Sequence, residues 1–190
     1  MVKSEQQWAI ADGFSPKELL AALVVVSIWA VALGIALARG LALESQIPVY
    51  AYAAAASLVV VADLRTLRAP NQVVYPAFLA MLCLAGVSGM SALASASAGG
   101  LIAFGALLLA VLSSRGAMGM GDAKFGAVCG ALVGLSGVAT FLVASFVAGG
   151  LFAGAALVSR SRARRDVVPF TPFLVAGTLV ALGVGHSYLA

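Results

Sequence analysis

Charge is missing from this chain where a soluble fold would most need it: residues 73–114 and 125–159 contain no Asp, Glu, Lys or Arg. Over all 190 residues, charged side chains make up 9% and hydrophobic ones 63%, with a mean hydropathy of +1.09. A soluble domain carries roughly 25% charged residues, so a water-facing surface cannot be assembled from this sequence and the solvent is lipid. In lipid every backbone N–H and C=O must be satisfied internally, which leaves helices or a closed barrel. A barrel requires short segments of alternating apolar and polar residues, whereas the runs here are continuous. The expected fold class is all-α, a polytopic transmembrane helix bundle.

Runs of about 20 apolar residues match the roughly 30 Å hydrocarbon layer as helices. Seven spans are expected: Leu19–Ala38, Ile47–Asp63, Val73–Gly89, Gly99–Ser114, Gly121–Gly137, Val138–Val158 and Phe170–Leu189. The first is an accessory helix behind a short cytoplasmic segment (residues 1–46), and the other six form the main membrane domain (residues 47–190). Ala36-Leu37-Ala38 resembles a signal-peptidase site. The apolar core before it is longer than the 7–15 residues of a secretory signal, so the helix is expected to be retained.

If the N-terminus is cytoplasmic, Lys3, Lys17, Arg65, Arg68, Arg115, Lys124, Arg160, Arg162, Arg164 and Arg165 fall on or near that side, and only Arg39 falls opposite. Cytoplasmic loops retain Lys and Arg, which sets the orientation. The net charge of +4 therefore points to the lipid bilayer surface as partner and not to nucleic acid. Cys83 and Cys129 lie inside apolar runs without a C-x-x-C pair, and His186 is the sole histidine. A metal site usually needs several such ligands, so neither a metal nor another cofactor is expected. Gly126, Gly130 and Gly134 repeat every four residues, lining one helix side with small groups that let a neighbouring backbone approach. Oligomeric state is not legible.

Of the seven acidic residues, Glu5, Asp12, Glu18, Glu44 and Asp166 lie in the N-terminal segment, at the start of the first span or in loops. Asp63 follows Leu58-Val59-Val60-Val61-Ala62 without a break, and Asp122 opens an apolar helix after Gly119-Met120-Gly121. An ionisable group bordering the hydrocarbon is costly and marks a functional site by default. A bland reading of each alone is a helix-end cap, where Asp122 would suit the macrodipole. As a pair they mean more, because the expected topology sets both just inside the same membrane face. If their helices pack, the two carboxyls can meet over one water and share a proton. The protonated one polarises a peptide carbonyl while the ionised one takes a proton from water. Paired carboxylates also serve proton- or cation-coupled transporters, which usually add inverted repeats and broken midplane helices; no clear repeat is present here.

Three local motifs carry a resemblance. Gly119-Met120-Gly121-Asp122 resembles the G-x-G-D signature of intramembrane aspartyl proteases, extended by Lys124 to G-x-G-D-x-K. Asp63-Leu64-Arg65-Thr66-Leu67-Arg68-Ala69-Pro70-Asn71 resembles the D-x-(basic)-x-x-(basic)-x-P-N stretch of prepilin peptidases, the type IV leader peptidase family. Pro169-Phe170-Thr171-Pro172-Phe173-Leu174, with Gly177, resembles the P-F-x-P-x-L segment that opens that family's last helix. Presenilin-like proteases share G-x-G-D but place a tyrosine where this chain has Ala62.

The resemblance, which spans Ile47 to Leu189, implies an aspartyl endopeptidase that cuts the short basic leader from type IV prepilin-like precursors. It implies action at the cytoplasmic face of a prokaryotic inner membrane, with Asp63 and Asp122 in the catalytic positions. Asn71 and Lys124 are candidates for substrate binding. Gly119 and Gly121 are candidates too, since glycine permits tight turning and leaves room for a substrate strand. The family's usual isoleucine before Pro-Asn is Ala69 here. The cysteine-rich cytoplasmic domain of the long, bifunctional members is missing, so N-methylation of the trimmed pilin is not expected. The short form suits peptidases of Flp/Tad-type systems.

Overall fold

The computed structural model of the chain describes residues 25–30, 34, 43–66, 70–114, 118–158 and 170–185. The described residues contain helices and turns and no strand. The principal helices are α1 (Leu43–Thr66), α2 (Asn71–Ser88), α3 (Met90–Ser113), α4 (Met120–Val158) and α5 (Thr171–Gly183). Of the first expected span, the described part is helical over residues 25–30. It packs on α1: Ile28 is buried, Trp29 stacks on Tyr50, and the Trp29 indole N–H donates to the Ser57 hydroxyl at 3.2 Å. Residue 34 is helical too, and the rest of that span, Arg115 and the Arg160–Arg165 cluster lie outside the described residues.

A single glycine turns α2 into α3. Gly89 has φ 127° and ψ 167°; its amide donates to the Gly86 carbonyl at 3.2 Å and its carbonyl accepts from Leu93 at 3.0 Å. A side chain at that φ would clash with the backbone, which is why glycine occupies it. α3 begins at Met90, nine residues before the expected start at Gly99. The added turns are Ser- and Ala-rich and read as a loop beside the stronger apolar run that follows, but alanine is the best helix former. At its other end Ser114 closes the helix: its hydroxyl donates to the Val111 carbonyl at 2.8 Å and accepts from the Met118 amide at 3.2 Å.

α4 holds two of the expected spans, and the break between them falls at Gly134, three residues before the expected boundary at Gly137. Gly134 has φ 68° and ψ −173°, a conformation open to glycine. Breaking a helix in lipid strands backbone groups unless a neighbour satisfies them. Here the Leu135 amide donates to the Ser95 hydroxyl of α3 at 3.0 Å. The same seam explains the glycine stripe. A Cβ on Gly130 would strike the Gly99 carbonyl and Ala103, and one on Gly126 would strike the Leu107 side chain. On its far side α4 receives α5, where Gly177 lies against Ser145 and the Phe141 carbonyl.

The core runs along α4. Phe125, Val128, Leu132 and Phe141 are buried, with Tyr52, Val59 and Val60 of α1, Met81 of α2, Leu107 of α3, and Leu174 and Leu182 of α5 around them. Tyr52 stacks on Phe125, and its hydroxyl lies 3.4 Å from Cys129 Sγ. Facing outward, Leu79, Val87, Leu101, Leu109, Val143 and Leu151 are all more than 60% exposed. Large apolar residues exposed on successive helices are costly in water and natural in lipid. α2, α3 and the Met120–Ala155 part of α4 are long and apolar enough to cross a membrane, and the apolar parts of α1 (Ile47–Asp63) and α5 are shorter. The chain is a multi-pass helical membrane bundle. The described part of α5 ends at Gly183, earlier than the expected Leu189, and passes into a turn at residues 184–185.

Candidate active site

Asp63 lies three residues before the end of α1. Val59 and Val60, one turn earlier, are fully buried. Residues three and four apart share a helix face, so the packing that buries these valines carries Asp63 inward; it is 5% exposed.

Asp122 lies in the first turn of α4. Its Oδ2 accepts from the Gly119 amide at 3.1 Å, while its own amide donates to the Gly119 carbonyl at 3.1 Å. This reciprocal pair satisfies an amide that the helix start would otherwise leave free. Asp122 shares its face with the buried Phe125 and Gly126, and is itself 9% exposed.

The two carboxyls come from helices far apart in sequence and meet at one end of the bundle, within direct electrostatic range of each other. Between them stands Thr171, the first residue of α5 and completely buried. Its hydroxyl donates to Asp122 Oδ1 at 3.2 Å, and both its hydroxyl and its backbone amide reach toward the Asp63 carboxyl. Asp63 Oδ2 is buried with no hydrogen-bond partner. Two inward carboxyls, one with an oxygen that has no hydrogen-bond partner, are a costly grouping at the edge of an apolar bundle and mark it as a functional site.

Lys124 and Asn71 join each other at a distance from this pair. Residues two apart on a helix point about 200° from one another, so Lys124 leaves the opposite side of α4 from Asp122. Its ammonium donates to Asn71 Oδ1 at 3.0 Å and sits 5.2 Å from the centre of the Tyr75 ring. Beneath them, Val74, Phe78, Leu101 and Phe104 line an apolar cavity of about 220 Å³ between α2, α3 and α4. Gly119 is exposed and Gly121 half-buried, and neither has a positive φ. The turn that the Asp122 amide closes on the Gly119 carbonyl therefore uses no left-handed glycine. At Gly119 a Cβ would stand 3.5 Å from Asp122 Oδ2, so the missing side chain leaves the approach to that carboxyl open. Among the described residues no three His, Cys, Asp or Glu gather into a metal-holding group.

Sequence reasoning named the segment containing Thr171 but gave the threonine no role. The signal lay in a hydroxyl placed at the very start of an apolar helix. Its partner, 49 residues away, was not legible.

The sequence profile of the type IV leader peptidase family matches residues 49–154, more than half of the chain. The chain belongs to the type IV leader peptidase family. The matched region holds Asp63, Asn71, Gly119, Gly121, Asp122 and Lys124, and it stops short of Thr171. The prepilin leader peptidase/N-methyltransferase of Bacillus subtilis (strain 168) is 33% identical to this chain over 154 residues. That alignment covers 80% of this chain and 60% of the relative, so the chain spans about three-fifths of the relative's length. No solved structure matches the chain.

Proposed function

We propose that this family member is an aspartic endopeptidase that removes the short basic leader from type IV prepilin-like precursors, Flp/Tad-type pilins among them. It works at the cytoplasmic face of a prokaryotic inner membrane, with the N-terminus on that side and residues 47–190 as the catalytic part. The observation that carries the reading is the meeting of Asp63 and Asp122, buried together from two helices with Thr171 between them. Family membership and the relative's name support the substrate class; the methyl transfer in that name stays with the relative.

In the proposed reaction one carboxyl is protonated and the other ionised. The ionised carboxyl takes a proton from water as its oxygen attacks the scissile carbonyl carbon, and the protonated carboxyl donates to the carbonyl oxygen. Collapse of the tetrahedral intermediate breaks the C–N bond, and the departing amine takes up a proton from the pair. The proton belongs to the coupled pair and not to one residue, so each carboxyl is essential. The open side at Gly119 offers the approach for the residue before the scissile bond. Lys124 and Asn71, away from the carboxyls, hold precursor backbone near the apolar cavity.

The test is cleavage of a co-expressed prepilin. Asp63→Asn and Asp122→Asn should each abolish processing while the protein still inserts and accumulates. Robust processing by either variant would remove the dyad from the mechanism.

A further inference from the structure

Buried hydroxyls in this bundle mostly bond to their own helix. Ser145 donates to the Phe141 carbonyl at 2.8 Å and Thr178 to the Leu174 carbonyl at 2.8 Å, each four residues back, the ordinary outlet for Ser and Thr within a helix. Thr171 is different. It is the first residue of α5, and the N-terminal cap of that helix, Phe170, uses no side-chain hydrogen bond. The Thr171 proton goes across the helix interface instead, to Asp122 Oδ1 at 3.2 Å.

The surrounding packing fixes the threonine. Leu174, Val175 and Thr178 share its face at helical spacing and are all buried. Phe170, just before it, lies against Gly149 and the Phe146 ring, and Pro172 follows in the first helical turn. Asp122 is then held on both oxygens from two directions, by the Gly119 amide of its own chain segment and by Thr171 of α5. Without Thr171, one contact would remain, and rotation of a carboxyl about its terminal bond is broad and weakly restricted. A hydroxyl has one proton and two lone pairs, so Thr171 can donate to one carboxyl and accept from the other when that one is protonated. Its hydroxyl and amide both reach toward Asp63.

We infer that Thr171 is a positioning residue for the carboxyl pair: it ties α5 to α4 and holds the Asp122 carboxyl in one orientation beside Asp63. The inference rests on the proposed reading of Asp63 and Asp122 as the catalytic pair.

The experiment uses the purified full-length chain and a prepilin substrate. Thr171→Val keeps the shape and removes the hydroxyl, whereas Thr171→Ser keeps the hydroxyl. The valine variant should lose roughly 10- to 100-fold in kcat, the range for one hydrogen bond to a charged group, with KM little changed. The serine variant should keep most of kcat. Full activity in the valine variant, or a serine variant as slow as the valine one, would overturn the inference. A second measurement needs no cleavage: thermal unfolding of Thr171→Val, Asp122→Ala and the double variant. Non-additive effects are expected, because both single changes delete the same contact, and additivity would refute the tie. The two readings can fail separately. A wild type that cleaves nothing, with a non-additive cycle, sinks the peptidase reading and with it the catalytic role, leaving the contact. Aspartate-dependent cleavage that Thr171→Val leaves intact sinks the inference alone.

Discussion

A methyl group placed at Gly99 tests whether the α3–α4 seam is as tight as the structure has it. The added Cβ would strike the Gly130 carbonyl oxygen, and would stand 2.7 Å from the Gly134 carbonyl carbon and 2.8 Å from its oxygen. All three are backbone atoms, so no rotamer change relieves them. Favourable carbon contacts lie at about 3.5–4.0 Å, so the helices must part by about 1 Å at this point. Overpacking of this kind costs about 1–3 kcal/mol, against a helix-propensity gain for alanine of about 1 kcal/mol at most. The parting also pulls on the bond from the Leu135 amide to Ser95, one turn away on the same face of α3, and an unpaired amide in lipid adds to the cost. Gly99→Ala should therefore be destabilised by about 1–2 kcal/mol net. Gly105, on the same helix, has open space where its Cβ would go, so Gly105→Ala should be neutral or slightly stabilised. Unfolding of the purified protein in detergent, followed by circular dichroism for both variants side by side, reads the difference. Equal stability of the two alanine variants would mean that the close backbone approach does not exist.

The kink and the Lys124 pair give two further predictions. Ser95→Ala removes the acceptor of the Leu135 amide and should cost about 1–3 kcal/mol, with faster amide exchange confined to residues near Gly134; exchange unchanged there would show that the break in α4 is held by something else. Lys124→Met deletes the 3.0 Å bond to Asn71 while keeping the apolar stem. Its bond is exposed, so stability should change by under about 1 kcal/mol. Because Lys124 points away from the carboxyls, KM for the precursor should rise while kcat stays near wild type, and a collapse of kcat at constant KM would place it in the chemistry instead.

The class of solvent, the helical backbone and the two singular carboxylates were all decided by local composition. A chain with no charge over residues 73–114 and 125–159 has only lipid to face and only helices to form, whatever its neighbours do. Asp63 and Asp122 stood out for the same reason, since each borders an apolar run where ionisation is costly. The glycine stripe at residues 126, 130 and 134 likewise announced a close approach before its partner, Gly99, was known. Packing decided the rest. The turn that breaks α4 falls at Gly134 and not at Gly137 because there the Gly99 backbone comes close and Ser95 takes up the freed amide. Lys124 follows the motif aspartate by two residues, yet helical geometry sends it to Asn71 and away from that carboxyl. Thr171 is an unremarked letter in its segment until α5 docks on α4 and sets its hydroxyl against Asp122. Periodicity and solvent preference act residue by residue and can be read along the chain. A hydrogen bond across 40 or 49 residues depends on the summed shapes of whole helices, and only the folded bundle contains that sum.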